Sequence, residues 1–116
     1  MILAGGRRLR SAHNLHGGQV SIDEGGATVG AGDLPAKATQ AMRNVGLALA
    51  AGASYADIVK ITTYVVNYKP EHRAVIGKAR APFFANRTPP ASTLVGVSAL
   101  ALLEWLVEIE AVAVVD

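Results

Sequence analysis

The sequence predicts an α+β domain in which two helices pack on one face of a mixed β-sheet. Three stretches carry that reading. The last, Trp105 to Val115, reads WLVEIEAVAVV, with Trp105, Val107, Ile109, Ala111, Ala113 and Val115 apolar at every second position and Glu108 and Glu110 between them. A period of two is the signature of a strand. Ile58 to Val66, IVKITTYVV, is rich in β-branched residues, which pack well on a pleated surface. Ala38, Ala41, Met42, Val45 and Leu49 recur at three- and four-residue steps, the period of an amphipathic helix.

From the start, Met1 to Leu15 show no sustained alternation and read as irregular or as a short edge strand. Gly17, Gly18 and Gln19 then lead into Val20 to Ile22, and Asp23 to Gly26 form a turn cluster. A glycine pair beside a strand allows close approach of a neighbouring chain or of a ligand. Asp33 is placed to cap the first helix, with Pro35 in its first turn and Gly52 at its close. Ser54 and Asp57 have capping-box spacing before the strand at Ile58. In that strand Val59, Ile61, Thr63 and Val65 form the apolar face, and Ile58, Lys60, Thr62, Tyr64 and Val66 a mixed one.

A second helix opens at Pro70 and Glu71, turns Ala74, Val75 and Ala79 inward, and ends near Ala81 because Pro82 lacks an amide donor. Phe83 and Phe84 anchor its exit. Asn86 to Pro90 is a loop, Ala91 to Ser98 a strand, and Ala99 to Glu104 the connection to the final strand. Two helices cover one side of such a sheet. The other side, semi-apolar on both central strands, is expected to be covered by self-association, most simply in a closed ring.

The 116 residues fit one domain, 1–116, with 1–15 its least defined part. The chain has no cysteine, which excludes disulfides, thiolate metal sites and cysteine nucleophiles and fits a cytoplasmic protein. No apolar run reaches the length of a membrane span. The net charge of +2 owes much to Arg7, Arg8 and Arg10, a solvated terminus; with aromatics at 5% there is no stacking platform for nucleic acid. His13 and His16 have no third ligand spaced to complete a metal site.

GGQ near the start, the helix QAMRNVGLAL, the strand DIVKITTYVV, and PPASTLVGVSAL followed by VEIEAVAV together resemble the Rid (reactive intermediate deaminase) or YjgF family, over about Gly17 to Val115. The resemblance implies a chorismate-mutase-like fold, a homotrimer whose sheets line a central barrel, and small-molecule clefts between subunits. It also implies hydrolysis of reactive enamines and imines, such as 2-iminopropanoate, to a carbonyl compound and ammonia, with no metal or cofactor. In the active subgroup an arginine follows Pro-Ala and grips the substrate carboxylate. Here Ser92 follows Pro90 and Ala91, the serine of the family's SGQ is Gly17, and the helix asparagine falls near Gly77.

From that constellation Glu108 is retained. It is the candidate catalytic residue, a carboxylate able to activate or position water for attack on an imine carbon. Ser92, Thr93, Gly17, Gly18 and Gln19 are the candidate ligand contacts, and Glu110 on the same face as Glu108 reads as a structural pairing group. Without the arginine, the alternative is a trimer that binds or senses a small molecule and performs no chemistry. An endoribonuclease, the third reading, follows from an activity reported for some family members and lacks a basic, aromatic groove here.

Overall fold

The computed structural model describes residues 11–13, 19–28, 30, 32–50 and 52–115. Their elements are β1 (Ser11–His13), α1 (Leu34–Leu49), β2 (Ile58–Val66), α2 (His72–Arg80), β3 (Ala91–Val97) and β4 (Val107–Val115). The strands form one mixed sheet in the order β1-β4-β2-β3. β4 is antiparallel to both β1 and β2, whereas β2 and β3 run parallel and α2 supplies the crossover that parallel neighbours require. The fold is the expected α+β architecture. Its first strand is the short edge strand allowed for in the sequence.

Two elements begin where a side chain satisfies otherwise unpaired amides. The Asp33 carboxylate accepts from Ala36 N at 3.1 Å at the start of α1. The Ser54–Asp57 capping box closes a single 3₁₀ turn before β2. The foreseen stripe of α1, Ala38, Ala41, Met42, Val45 and Leu49, is buried against Ile61, Val65, Val107, Ile109, Ala111 and Ala113 of the sheet. Phe83 and Phe84 lie in a 3₁₀ turn that begins at Ala81, with Pro82 in it, and both rings pack against Tyr55.

Four details differ from the sequence reading. Between Ile58 and Lys60 the β2 register shifts by one extra residue, a bulge, so Ile58 turns into the core at 6% exposure and Val59 turns out at 46%. In α2 the fully buried residue is Ile76; Ala79 packs on the core as expected, while Ala74 is exposed, Pro70 and Glu71 belong to the preceding turn, and the helix starts at His72. α1 ends at Leu49, and Gly52 follows in a turn whose N–H bonds Leu49 O at 3.0 Å. β4 starts at Val107, although Leu106 O already accepts from Val66 N at 2.9 Å.

One buried group had no counterpart in the reading of α1. Lys37 is fully buried, and its Nζ donates to Glu104 O at 3.0 Å, while the Glu104 carboxylate accepts from Thr28 Oγ1 at 2.9 Å. The lysine ties the connection before β4 to the first turn of α1. Among the described residues no helix is long and apolar enough to cross a membrane.

Candidate functional site

Where α2 ends beside the start of β3, the chain forms a half-open cavity of about 350 Å³. Its walls are mainly apolar: Ile61, Ala81, Phe84, Pro89 and Pro90. Arg80 and Ser92 supply the polar side chains, and Gly77 leaves one side open, since a Cβ there would meet nothing within 4 Å. Ser92 pairs in register with Ile61, which turns its side chain to the helix-covered face of the sheet. Arg80 is one turn beyond the buried Ile76, on the same side of α2.

The two meet. Arg80 Nη1 donates to Ser92 Oγ at 2.9 Å and, more weakly, to Thr63 Oγ1 at 3.4 Å, while its Nε–H is buried without a hydrogen-bond partner among the described residues. Burial holds the Arg80 pKa below the ordinary arginine value, because desolvation penalises the charged form. A guanidinium does not give up its proton in this range, so the group remains a cation, held by hydroxyls that orient it without neutralising it. Among the described residues no acidic side chain lines the cavity.

The other candidates lie elsewhere. Thr93 pairs with Thr62 and faces the opposite side of the sheet, where its hydroxyl accepts from Lys60 Nζ. Glu108 is on that same face, two strands away from Ser92 and opposite Tyr64 in the register. Glu110, opposite Thr62, accepts from Tyr64 Oη at 3.0 Å. That bond, followed by desolvation and the charges of Glu110 and Glu108, raises the Tyr64 pKa above its ordinary value. Gln19 pairs through its backbone with Ile109 on the far side of β4, at 2.7 and 2.9 Å. Asn44 of α1 fixes the next residues by donating to Val20 O and Ile22 O. Gln19 lines a separate shallow hollow with Asn44 and Leu47. Gly17 and Gly18 lie outside the described residues.

One chain therefore sets Ser92 and Arg80 in a cavity on the helix side of β3, and Glu108, Glu110 and Thr93 on the other face. It does not bring Glu108 and Ser92 together. Arg80 was missed in the sequence because it reads as a basic residue in the last turn of a helix, favourable to the dipole. The signal that could have found it is its four-residue spacing from Ile76. Among the described residues no group of three or more His, Cys, Asp or Glu is placed to hold a metal ion.

The family model described as Endoribonuclease L-PSP matches residues 14–115, and the chain belongs to this family, the Rid/YjgF proteins. The crystal structure of the Rid-family protein YyfB from Yersinia pestis, of unknown function, is 38% identical with a TM-score of 0.87, covering 94% of this chain and 82% of that one. The yjgF gene product of E. coli is 31% identical with a TM-score of 0.75, over 89% and 84% of the two chains. E. coli TdcF, solved with bound serine, is 29% identical with a TM-score of 0.75, over 86% and 78%. A comparison with curated proteins gives no match.

Proposed function

We propose that this chain assembles into a homotrimer and hydrolyses reactive imines or enamines to a carbonyl compound and ammonia, in clefts between subunits. The observation that carries the reading is the division of the site: Glu108 and the Arg80–Ser92 cavity lie on opposite faces of one sheet. A second copy, laid against the mixed face, is what could set a carboxylate beside the cavity of its neighbour. Family membership and the serine bound by TdcF, a small amino acid, both support a small polar ligand of this kind. The cysteine-free composition suits a cytoplasmic setting.

The chemistry is a hydration followed by an elimination. Water adds to the C=N carbon and one of its protons passes through the Glu108 carboxylate to the nitrogen, giving a carbinolamine; the carboxylate then takes the proton of the new hydroxyl and delivers it to the departing nitrogen, so that C=O forms as ammonia leaves. No atom beyond those of water and the imine is consumed. The test is ammonia release from 2-iminopropanoate, generated in place by a dehydratase acting on serine. We expect acceleration over buffer by the natural chain and loss of most of it, roughly 10²-fold or more, in Glu108→Gln.

The second reading, binding without chemistry, is favoured by Ser92 standing where the active subgroup has arginine. Saturable binding of a ligand with no turnover of any imine would establish it and overturn the hydrolase. For the ribonuclease reading, the expected result is intact RNA after incubation with metal-free, repurified protein.

A further inference from the structure

The geometry points to Arg80 as the oxyanion anchor of this chain: the side chain that binds the carboxylate of a small ligand in the cavity between α2 and β3. The inference deepens the reading above, since it presumes that this cavity is where the ligand sits. It assigns the anchoring role to a helix residue, in place of the strand position that Ser92 occupies.

Three observations converge on it. First, Arg80 projects into a mostly apolar cavity that no acidic residue lines among the described residues, so none of these gives the cation a counter-charge there. A desolvated charge without a counter-charge is costly, and an anion entering the cavity removes that cost. Second, Ser92 and Thr63 already hold Nη1 at 2.9 and 3.4 Å, which fixes the plane of the guanidinium before a ligand arrives. Both partners are neutral hydroxyls, which can orient the group and leave its charge available. Third, Gly77 keeps open the space beside it: an added Cβ would touch nothing.

The size and lining then define the ligand class. A cavity of about 350 Å³ walled by Ile61, Phe84, Pro89 and Pro90 suits an acid of a few carbons with a short apolar substituent. Anions with a second charge have no second cation among the lining residues to meet. The ligand is therefore a small monocarboxylate.

The experiment measures binding by calorimetry, without turnover, using pyruvate and its neutral amide, pyruvamide, as probes. The natural protein is expected to bind pyruvate about tenfold or more tighter than pyruvamide, the difference a charge-assisted bond contributes. Arg80→Gln is expected to remove that preference, with a circular-dichroism spectrum and melting curve like those of the natural protein reporting an intact fold. Ser92→Asp, which leaves Arg80 in place and gives it an internal carboxylate, is expected to abolish the preference by self-neutralisation. Equal affinities for the two probes in the natural protein would overturn the inference. So would a pyruvate preference that survives both substitutions.

Ammonia release, run in parallel, separates this result from the hydrolase reading. If pyruvate binding depends on Arg80 and no imine is hydrolysed, the anchor stands and the hydrolase falls. If 2-iminopropanoate is hydrolysed with an unchanged KM in Arg80→Gln, the hydrolase stands and the anchor falls.

Discussion

At Gly46, inside α1, an added Cβ would overlap the Tyr55 hydroxyl and ring, whereas at Gly77, inside α2, it would meet nothing within 4 Å. Alanine has the better helix propensity at both positions, so packing decides the sign. Gly77→Ala is expected to stabilise the fold by about 0.5–1 kcal/mol, and Gly46→Ala to destabilise it by roughly 1–3 kcal/mol through overpacking. Chemical denaturation of the two variants checks both signs. Tyr64 gives a pH prediction at the same scale. Its pKa is raised in the folded chain by the bond to Glu110, so the folded state holds this proton longer than the unfolded one. The stability from that bond is complete below about pH 10 and is lost as pH rises through the raised value. Tyr64→Phe is expected to flatten this alkaline decline in melting temperature; an unchanged slope would discount the bond.

At this scale, small apolar residues were easier to read than cations. Ala38, Ala41 and Met42 are buried as their spacing implied. Lys37 and Arg80 were not legible, because a long cationic stem can lie outward or fold inward, and only tertiary neighbours decide which.

Among the elements, α1 and β4 follow from period and β2 from its β-branched residues, whereas α2 was legible from its stop before Pro82 and not from its inward face. The bulge at Val59 was not legible. One added residue reverses the inward face of everything N-terminal to it, and an uninterrupted alternation contains no mark of where that happens. The connection from Ala99 to Glu104 was legible as a loop, but its tether was not, since the tether is Lys37 of a different element. Replacing a buried cation with a hydrophobe of similar volume is often neutral, so Lys37→Met is expected to change global stability by less than about 1 kcal/mol. The bond to Glu104 O is lost all the same. Amide exchange is expected to quicken across residues 99–106 while the α1 core keeps its protection, and uniform exchange would refute a local role.

For the whole molecule, the face opposite the helices is the deciding surface. Lys60, Thr62, Tyr64, Glu108, Glu110 and Val112 alternate with the core residues of β2 and β4, and their pairings, Lys60 with Thr93 and Tyr64 with Glu110, tie neighbouring strands together across it. The proposed trimer predicts a sedimentation mass three times that of the 12.0 kDa chain. Val112→Asp, a charge placed on that face, is expected to shift the mass toward one chain and to cost ammonia release and association together. A natural protein that sediments as a single chain would refute the assembly. The site was only half legible for a reason belonging to this scale: Ser92 and Thr93 are neighbours in sequence, yet alternation sends them to opposite faces of the sheet.

The cavity at the end of α2 is bounded on one side by Pro89 and Pro90. Two consecutive pyrrolidine rings fix two φ angles before the chain has folded at all, so this wall has little backbone freedom left to lose. A ligand entering beside it need not organise the loop that receives it. For the proposed ligand, affinity is expected to follow the fit of the guest more than the cost of ordering the host, and Pro89→Gly is expected to weaken binding through entropy, with the enthalpy read by calorimetry unchanged.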